Sequence, residues 1–328
     1  MKRKIILAIK ISLTVLIFVY IFNKIPFPQI LKELSTIKIF LFLLATALSI
    51  PVILLSSLQT KYLTSIQKIV ISYWEIFKVY LTAGFYSLFI PGSILGGAVK
   101  WYKFQKHGSK TSAAVVVVFN RYLELFTIIF IGIIFSIPTL INSDYKYLLI
   151  VWFTVLILLF ASYFILLNAE ALKKIEFVFS KIPLGLNIKN KTKNFFQAMH
   201  EFQNLTLKDH VKILSIMFLY HFLNIIGFYF LAESVNVSLN ILVLGWIRSI
   251  VMISNLLPIS YSGLGVREGI IIFLFQIYGV PASEALVISL LSFAKNLFLP
   301  LVGGILELKD FLLGKSYKST KETNSFCC

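Results

Sequence analysis

Acidic charge is scarce in this chain: 14 Asp and Glu stand against 31 Lys and Arg, a formal net charge of +17. Charge of either sign is scarce, at 14% of residues, where a soluble domain carries roughly a quarter. So few charges cannot clothe a water-facing surface. Cysteine is confined to Cys327 and Cys328, which excludes a disulfide framework and any Cys-x-x-Cys redox or zinc motif. The four histidines show no metal-ligand spacing. A Gly-x-Ser-x-Gly elbow, a His-Glu-x-x-His helix and a Walker A loop are all lacking. The run from Gly263 to Gly269 has the wrong spacing for a dinucleotide loop and follows no strand. No catalytic or metal-ligating set is assigned, no cofactor is expected, and ATP-driven work by this chain alone is not expected.

What the chain does have is hydrophobic length. It is 58% hydrophobic, with a mean hydropathy of +0.88. Apolar runs lie at about 5–22, 37–58, 69–90, 111–137, 147–168, 210–232, 240–257 and 284–307, with a short piece at 269–279. A bilayer core needs roughly 20 apolar residues per helix. A segment in lipid must satisfy its own backbone hydrogen bonds, and no strand alternation suggests a barrel. The expected fold is therefore all-α, a polytopic integral membrane helical bundle. The basic start, Met1 to Lys4, followed by an apolar run without a small-residue cleavage site, reads as a retained first span. Residues 1–315 read as one transmembrane domain and 316–328 as a disordered tail.

The excess of Lys and Arg sets orientation. Lys2, Arg3 and Lys4, then Lys61 and Lys68, then Lys100, Lys103, Lys106 and Lys110 all belong inside. So do Lys173, Lys174, Lys181, Lys189, Lys191 and Lys193 of the 169–208 segment, and the tail from Lys309. This places both termini in the cytoplasm, and makes 169–208 a cytoplasmic loop of one or two amphipathic helices on the membrane surface. Such loops suit anionic headgroups; nucleic acid is not an expected partner, because no basic-aromatic module lies outside the spans.

The orientation rule also creates a conflict. Residues 69–110 begin and end inside yet hold one long apolar run, and 240–282 must begin and end outside. Two opposed re-entrant broken-helix hairpins resolve it, with tips near 88–100 and 256–269. There Pro91, Ser93, Gly96 and Gly97, and Pro258, Ser260, Gly263 and Gly265, would let a helix stop and restart. The tips match without a gap as Pro-x-Ser-x-x-Gly-x-x-Val-basic, ending on Lys100 and Arg267. An inverted repeat of broken helices is a common way to build a transporter site near the midplane. Helix ends there suit an anion. Glycines that only permit close packing would leave the paired Lys100 and Arg267 unexplained.

Ionisable residues deep in apolar spans are costly and usually functional. Arg121 and Glu124 share a helix face at i, i+3. Arg248, Arg267 with Glu268, and Lys295 lie at comparable depth, and His221 shares a face with Asn224. Four cations against two carboxylates suggest an anionic ligand as the missing counter-ion. Arginine's planar fork suits phosphate. The headgroup-binding candidates are Arg121, Glu124, Arg248, Arg267, Glu268 and Lys295.

The stretch Pro258-Ile-Ser-Tyr-Ser-Gly-Leu-Gly-Val-Arg-Glu-Gly269 resembles the signature of the lysylphosphatidylglycerol synthase transmembrane, or flippase-like, family. So do Pro91-Gly-Ser-Ile-Leu-Gly-Gly97 and Asn120-Arg121-Tyr-Leu-Glu124. The resemblance implies the lipid-flipping half of a two-part protein that makes and exposes aminoacylated phosphatidylglycerol. Similar stand-alone domains include some tied to polyprenyl-phosphate sugar pathways. It also carries the lipid site onto Arg121, Glu124, Arg267 and Glu268. The chain ends about twenty residues after its last apolar run, leaving no room for the aminoacyltransferase domain, so lysyl transfer is not expected of it alone. Three readings stay open: a translocase of an anionic membrane lipid; a transferase acting on a lipid phosphate, with Glu124 or Glu268 as base; and a partner of a separate glycosyltransferase or synthase, docking through 169–208.

Overall fold

The computed structural model describes residues 12, 19–21, 23–89, 94–141, 146–181, 186–255 and 265–312. Most of the first apolar run, the tip residues Pro91, Ser93, Pro258, Ser260 and Gly263, and the 316–328 tail lie outside the described residues. Beyond Pro26 the described residues form thirteen α-helices, one 3-10 turn and no strand. The first half holds α1 (Phe27–Ser35), α2 (Ile39–Ala47), α3 (Ser49–Ile66), α4 (Tyr73–Phe89), α5 (Ile94–Phe104), α6 (Lys110–Leu140) and α7 (Tyr147–Leu167). Then come α8 (Ala169–Lys181), α9 (Leu186–His200), the 3-10 turn Glu201–Asn204, α10 (Leu207–Ser234), α11 (Ile241–Ser254), α12 (Val266–Gln276) and α13 (Ala282–Leu312).

Five stretches are long and apolar enough to cross a bilayer: α2 with α3 as Ile39–Ile66, then α6, Tyr147–Leu166, α10 and α13. The chain is a multi-pass helical membrane protein. Between α2 and α3, Pro51 has no N–H for the carbonyl of Ala47, and the helix is interrupted at Leu48. The run expected to stop near residue 58 continues to Ile66. Its polar end is buried against protein: Ser57, Gln59, Thr60 and Thr64 are at most 1% exposed. The run at 240–257 gives only the 14 residues of α11, which starts behind Asn240, whose side chain accepts the Leu242 N–H at 2.9 Å. The 169–208 segment forms two helices, as its composition suggested, and fixes them through Leu172, Met199 and Phe202, which enter a core with Phe119 and Leu123.

Helices α4 and α5 run antiparallel. Gly96 lies against Ser87 and Ala83, Lys100 over the ring of Tyr80, and Gly108, beyond the end of α5, against Ile69, ahead of α4. A Cβ on Gly96 would stand 2.7 Å from Ser87 Oγ, so the pair needs a glycine there. Helix α4 also packs closely on α13. Gly84 faces Pro300, Gly303 faces the backbone of Leu81, and Gly304 faces the Phe85 ring. Small residues of this kind let helices touch where lipid offers no hydrophobic drive for association. At the end of this contact Lys103 Nζ reaches Glu307 at 2.6 Å.

The Gly303 contact is with backbone, which cannot rotate away. Gly303→Val should therefore cost about 1–3 kcal/mol through overpacking, read as a lowered melting temperature in detergent, while Gly279→Ala, with open space around its Cβ position but a φ of +74°, should strain only its own turn. Equal melting of Gly303→Val and wild type would refute the close α4–α13 contact.

Candidate functional site

A cavity of about 1080 Å³ opens between α3, α4, α5, α6 and α10. Its walls are mostly apolar, including Val52, Ile53, Val116, Val117 and Met217. Set among them are Gln59, Tyr80, Lys100, Arg121, Glu124 and Tyr220. Each reaches the cavity for a local reason. Gly96 and Gly97 thin the α5 backbone where it faces the cavity, and Lys100 follows one turn later with its Nζ 3.5 Å from the Tyr80 ring centroid. The Tyr80 hydroxyl is tied to Thr60 Oγ1 at 2.7 Å. On α6, capped by the Ser109 side chain accepting from Ser112 N–H at 2.9 Å, Arg121 and Glu124 share a face.

Arg121 Nη1 donates to Glu124 Oε2 at 2.5 Å, and the Tyr220 hydroxyl donates to the other carboxylate oxygen at 3.4 Å. The arginine side chain is 38% exposed and the glutamate 15%. The guanidinium is thus anchored at one corner with the rest of its fork open. Gln59 is fully buried, and neither its Oε1 nor its Nε2 has a hydrogen-bond partner. A buried primary amide with both ends unsatisfied is costly. The arrangement can hold an anionic oxygen on Arg121 and Lys100.

Residues 5–304 match the family model described as lysylphosphatidylglycerol synthase TM region. The chain belongs to that family. Comparison with curated proteins finds no match.

Within this lysylphosphatidylglycerol synthase transmembrane region, the six headgroup candidates separate into three places. Arg121 and Glu124 line the cavity with Lys100. Arg248 is one step away, its Nη2 donating to Asn224 Oδ1 at 2.9 Å, on the helix that carries Tyr220. Lys295 reaches the same helix at Gly227. Arg267 and Glu268 are elsewhere and engage each other. Arg267, 6% exposed, donates through Nε to Glu268 Oε1 at 3.1 Å and to Ser289 Oγ at 3.2 Å, and its Nη2 makes a close ion pair with the same carboxylate. Glu268, 0% exposed, also accepts the Gly265 N–H at 2.6 Å, so it caps the start of α12. Gly265 has a φ of +85°, a left-handed backbone that glycine alone adopts without strain. Neither Arg267 nor Glu268 lines the cavity.

Gln59, Tyr80 and Tyr220 were not singled out from the sequence. The cluster Ser56-Ser57-Leu58-Gln59-Thr60 inside an apolar helix was the available signal for the first. The tyrosines carried none, because a tyrosine in a span reads equally as packing.

The geometry at Arg267 generates a stability prediction. Removing one partner of a buried pair strands the other charge, at a cost of about 3–5 kcal/mol. Arg267→Met should sharply lower folded yield and melting temperature, and Arg267→Met with Glu268→Gln should recover most of the loss. A double variant no better than the single would show that the pair is not what holds this corner.

Proposed function

We propose that the chain is a lipid translocase. In this reading an anionic phospholipid or polyprenyl-phosphate-linked headgroup enters the cavity while its acyl chains stay in the bilayer. The observation that carries the reading is the cavity itself: two cations, Lys100 and Arg121, with one carboxylate, Glu124, and an unsatisfied Gln59, all set in apolar walls within a membrane domain whose family is named for a lipid synthase.

The chemistry follows from cost. A headgroup phosphate cannot enter hydrocarbon without replacing its hydration. The open fork of Arg121 and the ammonium of Lys100 supply charge-assisted hydrogen bonds in its place. Glu124 holds Arg121 in position and would meet a positively charged substituent. The antiparallel α4 and α5 form the first hairpin of the proposal, re-entrant from the cytoplasmic side, with the 256–269 region as its inverted counterpart. Helix ends at such tips would add partial positive charge toward the anion. The lysine-rich 169–208 segment and the other basic loops support a cytoplasmic-membrane location with both termini inside.

Vesicles reconstituted with the purified chain test this directly. Wild-type protein should make an acyl-labelled phosphatidylglycerol in the inner leaflet accessible to a membrane-impermeant quencher, and a labelled phosphatidylcholine far less. Arg121→Ala should lower the first rate at least tenfold, and the loss should persist in Arg121→Ala with Glu124→Gln, which leaves no carboxylate stranded. Unchanged transport by Arg121→Ala would remove the cavity from the path. Absent transport by wild type, together with co-purification of a synthase, would favour a partner-subunit role.

A further inference from the structure

The polar face of α10 does not end at the cavity. Tyr220, Asn224 and Gly227 stand at i, i+4 and i+7, one stripe along the helix. Tyr220 lines the cavity, Asn224 accepts from Arg248, and a Cβ built on Gly227 would lie 3.4 Å from Lys295 Nζ. At 1.5 Å per residue the stripe runs about 10 Å from the cavity to the lysine.

Lys295 is 7% exposed, and among the described residues it makes no hydrogen bond or ion pair. Its surroundings explain why this matters. A Cβ built on Gly227 of α10 would lie 3.4 Å from Lys295 Nζ and 3.7 Å from the Ala45 carbonyl oxygen of α2, so that carbonyl borders the same space. From α11, Arg248 reaches Asn224, one turn of α10 before Gly227, while Glu124 on α6 is engaged with Arg121. Arg248 itself is lightly committed. Asn224 takes one Nη2 hydrogen, and Met252 Sδ, 3.8 Å from Nη1, is a weak acceptor, so most of its five donors are uncommitted. Two cations thus reach α10 at Asn224 and Gly227, three residues apart, and among the described residues neither has an ion pair. A leucine or methionine at 295 would pack α13 on α10 without that cost, as replacements of buried charges by apolar residues show. What the pair lacks is an anion.

We propose that Arg248 and Lys295 form a second anion station, separate from Lys100 and Arg121, that takes a phosphate group arriving along the α10 stripe. The inference rests on reading the chain as a handler of anionic lipid, and it assigns the lipid phosphate two successive resting places. The chemistry recognised is phosphate, whether carried by lipid or free.

Purified full-length protein titrated calorimetrically with a short-chain soluble phosphatidic acid, and separately with inorganic phosphate, distinguishes the outcomes. Wild type should bind two equivalents of the lipid phosphate per chain. Lys295→Met should bind one, lose at least tenfold in vesicle transport of labelled phosphatidylglycerol, and melt no lower than wild type, because it removes an unpaired charge. Arg248→Gln, which keeps a donor for Asn224, should show the same loss of one equivalent and serves if Lys295→Met does not fold. One equivalent in wild type, or two in both variants, overturns the station. Two in wild type and one in either variant, with no lipid transport by wild type, keeps the station and overturns the translocase reading instead. Inorganic phosphate binding at the same stoichiometry assigns the station to phosphate in general; its failure to bind assigns it to lipid.

Discussion

Low dielectric is the constraint from which the rest of this structure follows. In a bilayer every backbone polar group must find its partner within the chain and every charge must be neutralised or stabilised locally. The backbone meets this with helices joined by short turns, and no strand, among the described residues. Helix starts outside the hydrocarbon are closed by side chains: Ser109 for α6, Thr206 with Asp209 for α10, Asn240 for α11. Helix contacts then rest on small residues. The α4–α13 contact, with glycines on both sides, brings two backbones within reach and leaves the α3–α6 side of α4 facing a cavity.

Charges meet the same constraint in two different ways. At the start of α12, Arg267, Glu268, Ser289 and the Gly265 N–H close on one another around the Glu268 carboxylate. That cluster is self-sufficient. Along α10 the opposite holds. Among the described residues Lys100, Arg121 and Arg248 share a single carboxylate, Glu124, and Lys295 has no ion pair. The same residue types at similar depth therefore do different work, and it is the local count of partners, not burial, that separates them.

Much of this was legible from residue types and spacing. Long apolar runs gave the spans, and i, i+3 spacing gave the Arg121–Glu124 pair. The family signature around Gly263 to Gly269 was visible as well. Its role was harder to see. Adjacent residues on a helix point apart, so nothing in Arg267-Glu268 announces an ion pair; it forms because Glu268 turns back to cap Gly265 while Ser289, some twenty residues on, bridges the two. Sequence depth alone therefore counted Arg267 among unbalanced cations, although its counter-ion is its neighbour. Gln59 was hidden for the reverse reason. A polar residue near the end of a span passes for an interface residue until the fold buries it completely and leaves it unpartnered.

On the proposed reading, Glu124 resolves a difficulty that four cations would otherwise create. A site that only attracts phosphate would hold it, and transport needs binding firm enough to admit the ligand and weak enough to release it, as in ion pores. Glu124 already occupies one corner of Arg121 and is itself held by Tyr220. An arriving phosphate must therefore share that arginine with a resident carboxylate, which weakens the first station by like-charge repulsion. Lys295, 7% exposed, pairs with no carboxylate among the described residues. On that reading the two stations hold phosphate with different firmness, and Arg248, which donates to Asn224 between Tyr220 and Gly227 on α10, stands where a transfer between them would pass.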